Sequence, residues 1–436
     1  MTGVRRGVGR TSAWEVGRRV GLEAGRLHAV AFAVLLLVGS LVAPALAQEK
    51  IVLTITSHGN AEEQQLYERL FAEYSQLHPN VEIRWAGVDW NIEPIMLRMA
   101  AGSDVPDIIV LRSGLAVDQL HLLDLTPYVG KYMTEEDLSD FHPAQWSTWS
   151  REGKQYAIPR YMGTVVTVYN RDMFLEAGVE EPKGATFTWD EMAATARKLT
   201  RDTTGDGVAD RWGYFVNWAV NRMAHWVWQN GGDFFNEAGD VTIDRPEFVG
   251  AWEFLANLRF SAGVMPTVQQ VSNARSGFGQ ERIAMMEDGD WAVPGIIPPF
   301  IEGRFRMGVA EPPYNRTRAT VHTLDGYGIW SGTKHPDEAF RFVQWLTGPR
   351  GNQAFAEYGL PPARRSELGY YLRLYENEVD LSVLAAVRGY ARPIPEFSED
   401  VTRILNEAAT AIARNGQGPV ASILSDAARR IRGLQQ

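Results

Sequence analysis

The chain has 436 residues and a net charge of −10, with 45% hydrophobic and 22% charged residues. This composition is typical of a globular protein, and the length suggests two domains of ordinary size. Because an acidic protein repels phosphate backbones, we do not expect nucleic acid as a partner. The sequence contains no cysteine, so the fold must be stabilised by core burial instead of disulfides.

Residues 1–47 are expected to form a secretory signal peptide. Six arginines precede an apolar run at residues 29–38, and the small-residue triplet Ala45, Leu46, Ala47 follows that run. This order is typical of an exported precursor that is cleaved near Ala47. The apolar run is shorter than the roughly 20 residues needed to cross a bilayer. Since no cysteine is available for lipid attachment, we expect a soluble periplasmic protein.

The mature chain begins with alternating strand and helix patterns. Residues 51–56 form an apolar strand-like run, and apolar residues then recur at helical spacing in residues 66–77. Residues 81–85 alternate as in a half-buried strand, and residues 107–111 form a further buried strand after a second helix. This alternation predicts an α/β fold with a mostly parallel sheet and helices on both faces.

Polar residues directly follow three of these predicted strands. They are His58, Asp89 and Arg112. In open α/β sheets, ligands bind beyond the carboxyl ends of the strands. We therefore expect these three side chains to point toward a ligand site.

Later segments continue the alternation. Residues 164–169 form a second strand-like run, and helical patterns follow at residues 189–199 and 248–260. Residues 337–346 place apolar side chains on one helical face, which suits packing on a sheet. No heptads and no internal repeats are visible in the sequence.

A loop rich in Asp and Gly resembles the beginning of an EF-hand calcium loop. Its first, third, fifth and ninth positions carry oxygen ligands, namely Asp202, Thr204, Asp206 and Asp210. The sixth position is Gly207, as the sharp turn of such a loop requires. However, the twelfth position is Gly213, which cannot provide the bidentate carboxylate. The loop is therefore either a structural calcium site or a turn that its own side chains cap.

Aromatic residues are the second chemical signal. They include Trp212, Trp218, Trp226, Trp228, Trp291, Tyr327 and Trp330. Sugars have apolar C–H faces that stack on aromatic rings, while their hydroxyls need charged or amide partners, so carbohydrate sites combine both residue types. Most of these rings are expected in the core, and some of them are candidates for a sugar site.

The sequence lacks the common catalytic motifs. It contains no G-x-S-x-G, H-E-x-x-H, P-loop or G-x-G-x-x-G motif, and its eight histidines show no metal-ligand spacing. Glu287, Asp288 and Asp290 are candidates for the carboxylate pair of a secreted glycoside hydrolase, which also needs a defined separation across the sugar ring. We expect a binding protein and keep the hydrolase as the alternative.

Six segments, taken in their order along the chain, resemble a known family. They are PDIIVLRSG, GKQYAIPRYMGTVVTVYNRDMF, DTTGDGVADRWGY, WQNGGDFF, MEDGDWA and TLDGYGIWSGTKHPDEAFRFVQWLTGP. Together they are similar to the family 1 extracellular solute-binding proteins of ABC transporters, a group of sugar-binding proteins that resemble maltose-binding protein. The similarity covers nearly the whole mature chain.

The resemblance implies a two-lobed periplasmic-binding-protein fold of type II. Each lobe would contain a mostly parallel sheet flanked by helices, and crossing strands would join the lobes as a hinge. The first lobe would comprise residues 48–158 and 324–360. The second lobe would comprise residues 159–323 and the C-terminal helices of residues 361–436.

The resemblance also implies a ligand site between the lobes. Besides His58 and Asp89, this predicted site contains Arg112, Ser113, Tyr161, Trp228, Gly289, Trp291, Gly326, Tyr327 and Arg364. Arg112 would serve as a hydroxyl partner, and Trp228 and Trp291 as stacking surfaces. The ligand would favour the closed form, because only that form contacts it from both lobes.

The implied partners are a small sugar and the permease subunits of an ABC importer. No cofactor is required beyond the candidate calcium ion, and the mature protein is expected to be a monomer. The sequence leaves other solutes open, namely a polyamine, a phosphorylated alcohol or a peptide. It does not give the identity or the length of the sugar.

Overall fold

The computed structural model describes residues 50–57, 60–88, 92–182, 187–323, 325–415 and 419–435. The predicted signal peptide and the predicted ligand residues His58 and Asp89 lie outside these ranges. Residues 52–436 belong to one compact unit. Among the described helices, none combines the length and the apolar character that crossing a membrane requires.

The described helices are numbered in chain order. They are α1 (Ala61–Leu77), α2 (Glu93–Ala101), α3 (Ala116–Gln119), α4 (Thr126–Tyr132), α5 (Glu135–Ser139), α6 (Pro143–Thr148), α7 (Arg171–Ala177), α8 (Trp189–Leu199), α9 (Ala224–Gln229), α10 (Pro246–Phe260), α11 (Ala274–Gly279), α12 (Pro298–Ile301), α13 (Pro336–Leu346), α14 (Pro349–Glu357), α15 (Leu368–Tyr375), α16 (Leu384–Val387), α17 (Glu399–Asn415) and α18 (Val420–Leu434). Short 3-10 turns occur at Asp290–Ala292 and Arg388–Tyr390.

The described strands are numbered in the same way. They are β1 (Ile51–Ser57), β2 (Val81–Val88), β3 (Ile108–Leu111), β4 (Ser150–Arg151), β5 (Lys154–Gln155), β6 (Ala157–Tyr161), β7 (Val165–Asn170), β8 (Met285–Gly289), β9 (Met307–Ala310), β10 (Thr320–His322), β11 (Asp325–Ile329) and β12 (Ala391–Pro393). The predicted strands at residues 51–56 and 164–169 and the predicted helix at residues 189–199 are confirmed.

The first lobe is built on a five-stranded sheet of order β2-β1-β3-β11-β6. β1 and β3 are parallel, as the alternating pattern predicted. β11 is antiparallel to both of its neighbours, β3 and β6. The prediction of a mostly parallel sheet is therefore only partly right, because β11 returns from the second lobe and enters the sheet in the opposite direction.

The second lobe contains a three-stranded sheet of order β8-β7-β9, in which both pairings are antiparallel. The expectation of a mostly parallel sheet is wrong here. β8 and β9 pair with β7 from distant parts of the chain, so no short βαβ unit fixes their direction. The two-lobed α/β fold itself is confirmed.

Alternate residues of β7 face different cores of the second lobe. Val165 and Tyr169 pack in one cluster with Trp226, whereas Val166 and Val168 pack in another with Tyr371. This arrangement follows from the two-residue period of a strand. The sheet is therefore covered on both faces and is a rigid support for the loops at its ends.

Two crossovers that lie side by side join the lobes. β6 of the first sheet leads through residues 162–164 into β7 of the second, and β10 leads back into β11. Gly163 donates its N–H to the Thr323 hydroxyl at 3.1 Å, and Thr323 donates its N–H to the Gly163 carbonyl at 2.8 Å. The paired crossovers supply the two chain crossings that a hinge requires.

The lobe boundaries differ somewhat from those predicted. β6 belongs wholly to the first sheet, so the first crossing follows Tyr161 instead of residue 158. Near residue 361, the chain first bonds back to the first lobe, because Arg365 and Ser366 both donate to Asp140. The final return to the second lobe therefore begins later than predicted.

Candidate functional site

The first lobe contributes a polar group in which Arg112, Tyr161 and Asp325 converge. Asp325 pairs with Tyr161 across β11 and β6, and Arg112 directly follows the adjacent strand, β3. Nε of Arg112 lies 3.5 Å from Oδ1 of Asp325, and its side chain is 40% exposed. Burial raises the pKa of the Tyr161 phenol, while hydrogen bonding and charge from Arg112 act in the opposite direction. Tyr161 is therefore a neutral hydrogen-bonding group at pH 7.

The second lobe contributes the half-buried ring of Trp291, which follows β8. The ring packs closely on the backbones of Gly163 and Gly289. A Cβ added to Gly163 would lie 2.3 Å from the ring, and one added to Gly289 would lie 2.2 Å from it. Any residue larger than glycine at these two positions would clash with the Trp291 ring in its observed position. The predicted importance of Gly289 thus has a physical basis, because this residue makes room for Trp291.

Arg222 covers the ring of Trp291. Its Cζ atom lies 4.8 Å from the ring centroid, which is within the range of a cation–π interaction. Burial lowers the pKa of Arg222, and the positive charge of Arg112 contributes in the same direction. Geometry also links the two arginines, because Arg222 lies on the ring of Trp291 and Arg112 lies beside Asp325, the strand partner of Tyr161.

Tyr161 and Trp291 lie on either side of the first crossover. A Cβ on Gly163 would be 3.2 Å from the Tyr161 ring as well as close to Trp291. The structure thus brings together four predicted site residues, namely Arg112, Tyr161, Gly289 and Trp291. It adds Arg222, which the sequence did not reveal because this residue lies in a turn before α9 and belongs to no motif or periodic pattern.

A cavity of about 310 Å³ lies between the loop after β3 and two segments of the second lobe. Its polar lining includes Ser113, Asn221, Glu396, Thr402 and Asn406. These residues provide hydroxyl, amide and carboxylate groups, which are the partners that sugar hydroxyls require. The volume is at the lower end of the range for small-molecule sites. The cavity adjoins the arginine pair, since Ser113 and Asn221 are neighbours of Arg112 and Arg222.

Glu396 connects the two lobes beside this cavity. Its carboxylate accepts the Gly114 N–H at 2.6 Å and hydrogen-bonds Ser113. Burial raises the pKa of Glu396, while these hydrogen bonds act to lower it. The predicted ligand residue Ser113 is thus engaged with a carboxylate from the opposite lobe.

Comparison with known proteins decides the family. The sequence profile of the bacterial extracellular solute-binding proteins matches residues 59–353, which is more than half of the chain. The chain belongs to this family. Its members are binding proteins, and the two lobes with converging polar and aromatic groups agree with that description.

Three similar proteins illustrate the relationship of this solute-binding protein to its family. A binding protein of Brucella abortus is 22% identical over 391 residues, covering 84% of this chain and 88% of the relative. The mannitol-binding protein of Pseudomonas aeruginosa is 24% identical over 343 residues, with coverages of 74% and 76%. An ABC substrate-binding protein from Listeria monocytogenes, solved in complex with cycloalternan, superposes with a TM-score of 0.77 at 23% identity. The superposition covers 89% of this chain and 99% of that protein.

Three predicted site residues of the solute-binding protein lie in the interior of the first lobe. Gly326 packs under Trp149, because an added Cβ would lie 2.8 Å from that ring. Tyr327 is fully buried, and its hydroxyl lies 2.5 Å from that of Tyr67. Arg364 is 4% exposed and pairs with two aspartates of the same lobe. These placements correct the prediction that the three residues face the cleft. A residue beside a family motif can lie on either side of its strand or loop, so the motif alone does not show that the side chain faces the ligand.

Trp228 is likewise not part of the converging group. The residue is 4% exposed, and its Nε1 donates to Asp233 at 3.1 Å. The guanidinium of Arg392 lies 4.2 Å from its ring centroid. Because Trp228 is almost fully buried and its Nε1 is bound to Asp233, its predicted stacking role is not supported in this conformation.

The three carboxylates proposed for a glycosidase reaction are each bound to other protein groups, Asp288 to Arg275. Glu287 is buried and hydrogen-bonds His225, Trp226 and Tyr214. Asp290 is fully buried and accepts two hydrogen bonds from Thr164. The arrangement of these residues therefore gives no support to an acid and a nucleophile on opposite sides of one glycosidic bond.

In the Asp/Gly-rich loop, the carboxylates bind the backbone of the loop itself. Asp202 accepts N–H groups of Thr204, Gly205 and Gly207 at 2.6–3.1 Å. Asp206 accepts the Val208 N–H in the same way. Backbone hydrogen bonds, that of Gly207 first, lower the pKa of Asp202. Within the described ranges, no cluster of three or more His, Cys, Asp or Glu could hold a metal ion. The carboxylates therefore cap the turn in this structure, and the calcium site stays a prediction.

We predict that Asp202→Ala lowers the melting temperature equally with calcium and with chelator, because it removes caps from three backbone N–H groups. Asp206→Ala, which removes one such cap, should have a smaller effect. Scanning calorimetry of the wild type and both variants tests this prediction. A calcium-dependent rise in the wild type that is absent in both variants would instead establish the predicted ion site of Asp202, Thr204, Asp206 and Asp210.

Proposed function

We propose that this protein is the substrate-binding component of an ABC importer and that it captures a carbohydrate between its lobes. The observation that carries the proposal is the convergence of groups from both lobes beside the crossovers. Arg112 and Tyr161 come from the first lobe, and Arg222 and Trp291 come from the second. A ligand held among them would bridge the lobes.

The chemistry of these groups supports a carbohydrate. Trp291 is half-buried and provides an aromatic surface of the kind on which the apolar face of a sugar stacks. Arg112, Arg222 and the polar cavity beside them provide donors and acceptors for hydroxyls. Mannitol and cycloalternan, a sugar alcohol and a cyclic glucan, are bound by two of the similar proteins. The Listeria protein is described as an ABC substrate-binding protein, which supports an ABC permease as the partner.

The proposed mechanism is closure of the lobes by hinge motion. Open and closed forms of such proteins differ by a few kcal/mol, and a ligand shifts the population only through contacts that it gains in the closed form. The paired crossovers at Gly163 and Thr323 would bend, while the sheets on either side would move as rigid bodies. The closed form would then be recognised by the permease, and no chemical step is required of the protein. Export to the periplasm by cleavage near Ala47 and a monomeric state belong to the same proposal.

A thermal-shift screen of the mature protein tests the ligand class. Because a ligand that binds only the folded state raises the melting temperature, a sugar at 100 times its Kd should add about 2.7 kcal/mol of stability. The panel should contain neutral sugars, sugar acids, sugar phosphates, polyamines and peptides. Stabilisation by polyamines or peptides alone would contradict the carbohydrate proposal.

We predict that Trp291→Ala weakens ligand binding roughly 5- to 150-fold, which corresponds to the loss of about 1–3 kcal/mol of stacking in a desolvated site. Trp252→Ala is the matched control, because Trp252 is fully buried in the second-lobe core. That change should cost about 3–5 kcal/mol of stability and leave the affinity of the folded fraction nearly unchanged. Calorimetric affinity and melting temperature on both variants separate the two roles. If Trp291→Ala binds the ligand with unchanged affinity, Trp291 is not part of the ligand site.

A further inference from the structure

Arg222 brings a positive charge into the site that no described carboxylate neutralises. Its guanidinium has a ring contact with Trp291, and it forms no hydrogen bond or ion pair with any residue in the described ranges. A guanidinium carries five N–H donors, and partly buried donors are generally satisfied in folded proteins. Burial lowers the pKa of Arg222, which reflects the cost of keeping this charge without a partner.

The neighbouring carboxylate of Asp288 is already bound to another cation. Asp288 is the acid with the strongest influence on Arg222, yet both of its oxygens are bound by Arg275 at 2.6 and 2.9 Å. One of these oxygens also accepts the Gly289 N–H at 2.8 Å. The short bidentate pair with Arg275 is of the strong kind. Asp288 thus leaves the donors of Arg222 available.

The polar group of the first lobe is balanced within itself. Arg112 and Arg160 are its two cations, and Asp325 and Glu63 are its two carboxylates. The positive charge of Arg112 is therefore already paired with the carboxylate of Asp325. The charge of Arg222 is additional to this group, and among the described residues no carboxylate forms an ion pair with it.

We propose that the ligand carries a negatively charged group, a carboxylate or a phosphate, and that Arg222 binds this group above the ring of Trp291. The planar guanidinium matches the two oxygens of either anion. The acidic group would meet Arg222, while the sugar ring would contact the part of the half-buried Trp291 ring that Arg222 leaves exposed. Electrostatic attraction is stronger in such a water-poor cleft than in bulk water. This inference rests on the proposed carbohydrate function and narrows it to acidic sugars.

Matched pairs of sugars test the charge directly. Calorimetry of the mature protein would compare D-glucuronate with D-glucose, D-galacturonate with D-galactose, and trigalacturonate with galactotriose. Glucose 1-phosphate and glucose 6-phosphate distinguish phosphate from carboxylate as the preferred anion. We expect the acidic member of a pair to bind at least about 10-fold more tightly than its neutral counterpart, since a charge-assisted hydrogen bond is lost with the anion. Its affinity should also fall as salt is added.

Variants of Arg222 assign the preference to this residue. Arg222→Gln should weaken binding of the acidic sugar by roughly 10- to 150-fold and leave any neutral sugar nearly unaffected. Arg222→Lys retains the charge but loses the planar fork, so an intermediate loss is expected. Arg306→Gln is the control, because Arg306 has a 63% exposed side chain and pairs with Asp172 on the surface. Melting curves establish that each variant is folded.

Two results would overturn the inference. If neutral sugars bind as tightly as their acidic counterparts, or if Arg222→Gln leaves the affinity for an acidic sugar unchanged, the anionic ligand is refuted while the proposed carbohydrate function stands. If sugars of neither class bind and only non-carbohydrate solutes do, the proposed function fails and the inference fails with it.

Discussion

Arg160→Ala is expected to lower the free energy of unfolding by about 3–5 kcal/mol, because the change leaves the buried carboxylate of Glu63 without its cation. Arg160 is 2% exposed. Its guanidinium pairs with Glu63 and lies 3.8 Å from Asp325. It also lies 5.0 Å from the ring centroid of Phe355. The residue therefore joins β6, α1, β11 and α14 in the interior of the first lobe.

Urea denaturation of the wild type and the variant measures this loss. Arg350→Ala is the matched control, since Arg350 pairs with Glu73 and both side chains are about 40% exposed. An exposed pair of this kind contributes about 0–1 kcal/mol. A loss of less than 1 kcal/mol for Arg160→Ala, equal to that of the control, would contradict a structural role for the buried pair.

Asp290→Asn is expected to remove a large part of the pH dependence of stability between pH 4 and pH 7. Asp290 is fully buried beside the first crossover, and its carboxylate accepts the N–H and the hydroxyl of Thr164 at 2.8 and 2.9 Å. Burial raises the pKa of Asp290 to about 7, although Arg388 and the hydrogen bonds from Thr164 act to lower it.

The direction of this effect follows from the raised pKa. The folded state retains the proton of Asp290 up to about pH 7, whereas the unfolded chain releases it near pH 4. The stabilisation is therefore complete below pH 4 and is lost as the pH rises through about 7. The total loss is at most about 4 kcal/mol. Asparagine carries no charge at any of these pH values, so the variant should not show this loss.

Unfolding free energies at several pH values test the prediction. The free energy of unfolding of the wild type minus that of Asp290→Asn should decrease steadily from pH 4 to pH 7. Asp172→Asn is a useful control of opposite sign, because hydrogen bonds from Arg306 lower the pKa of Asp172. Its contribution should be present above pH 4 and disappear in acid. If the difference in unfolding free energy between the wild type and Asp290→Asn stays constant with pH, Asp290 does not titrate in this range.

The sequence was sufficient for features that depend on local pattern. Helix α8 was predicted over its full observed length, Trp189–Leu199, from its helical pattern. The structure adds a capping box formed by Thr188 and Glu191 at its N-terminus. The two-lobed architecture followed from the resemblance of six ordered segments. The antiparallel pairing of β7 with β8 was not predicted, since it depends on contacts between residues about 120 positions apart.

The candidate site was only partly predictable for the same reason. Arg112 and Trp291 lie on loops that match the family motifs, so their positions could be inferred. Tyr327 lies next to such a motif too, but its side chain points into the first-lobe core, where it meets Tyr67. Arg222 reaches the site only because the fold brings its turn to Trp291, and no local pattern marks that turn.

Small-angle X-ray scattering with and without a saturating ligand tests the central claim, closure of two lobes around a bound carbohydrate, most directly. The ligand used is a compound whose binding has first been verified by calorimetry. We predict that the radius of gyration decreases on saturation, and that Trp291→Ala shows the decrease only at a correspondingly higher ligand concentration. A radius of gyration that stays the same when the verified ligand saturates the wild-type protein would contradict the clamp mechanism.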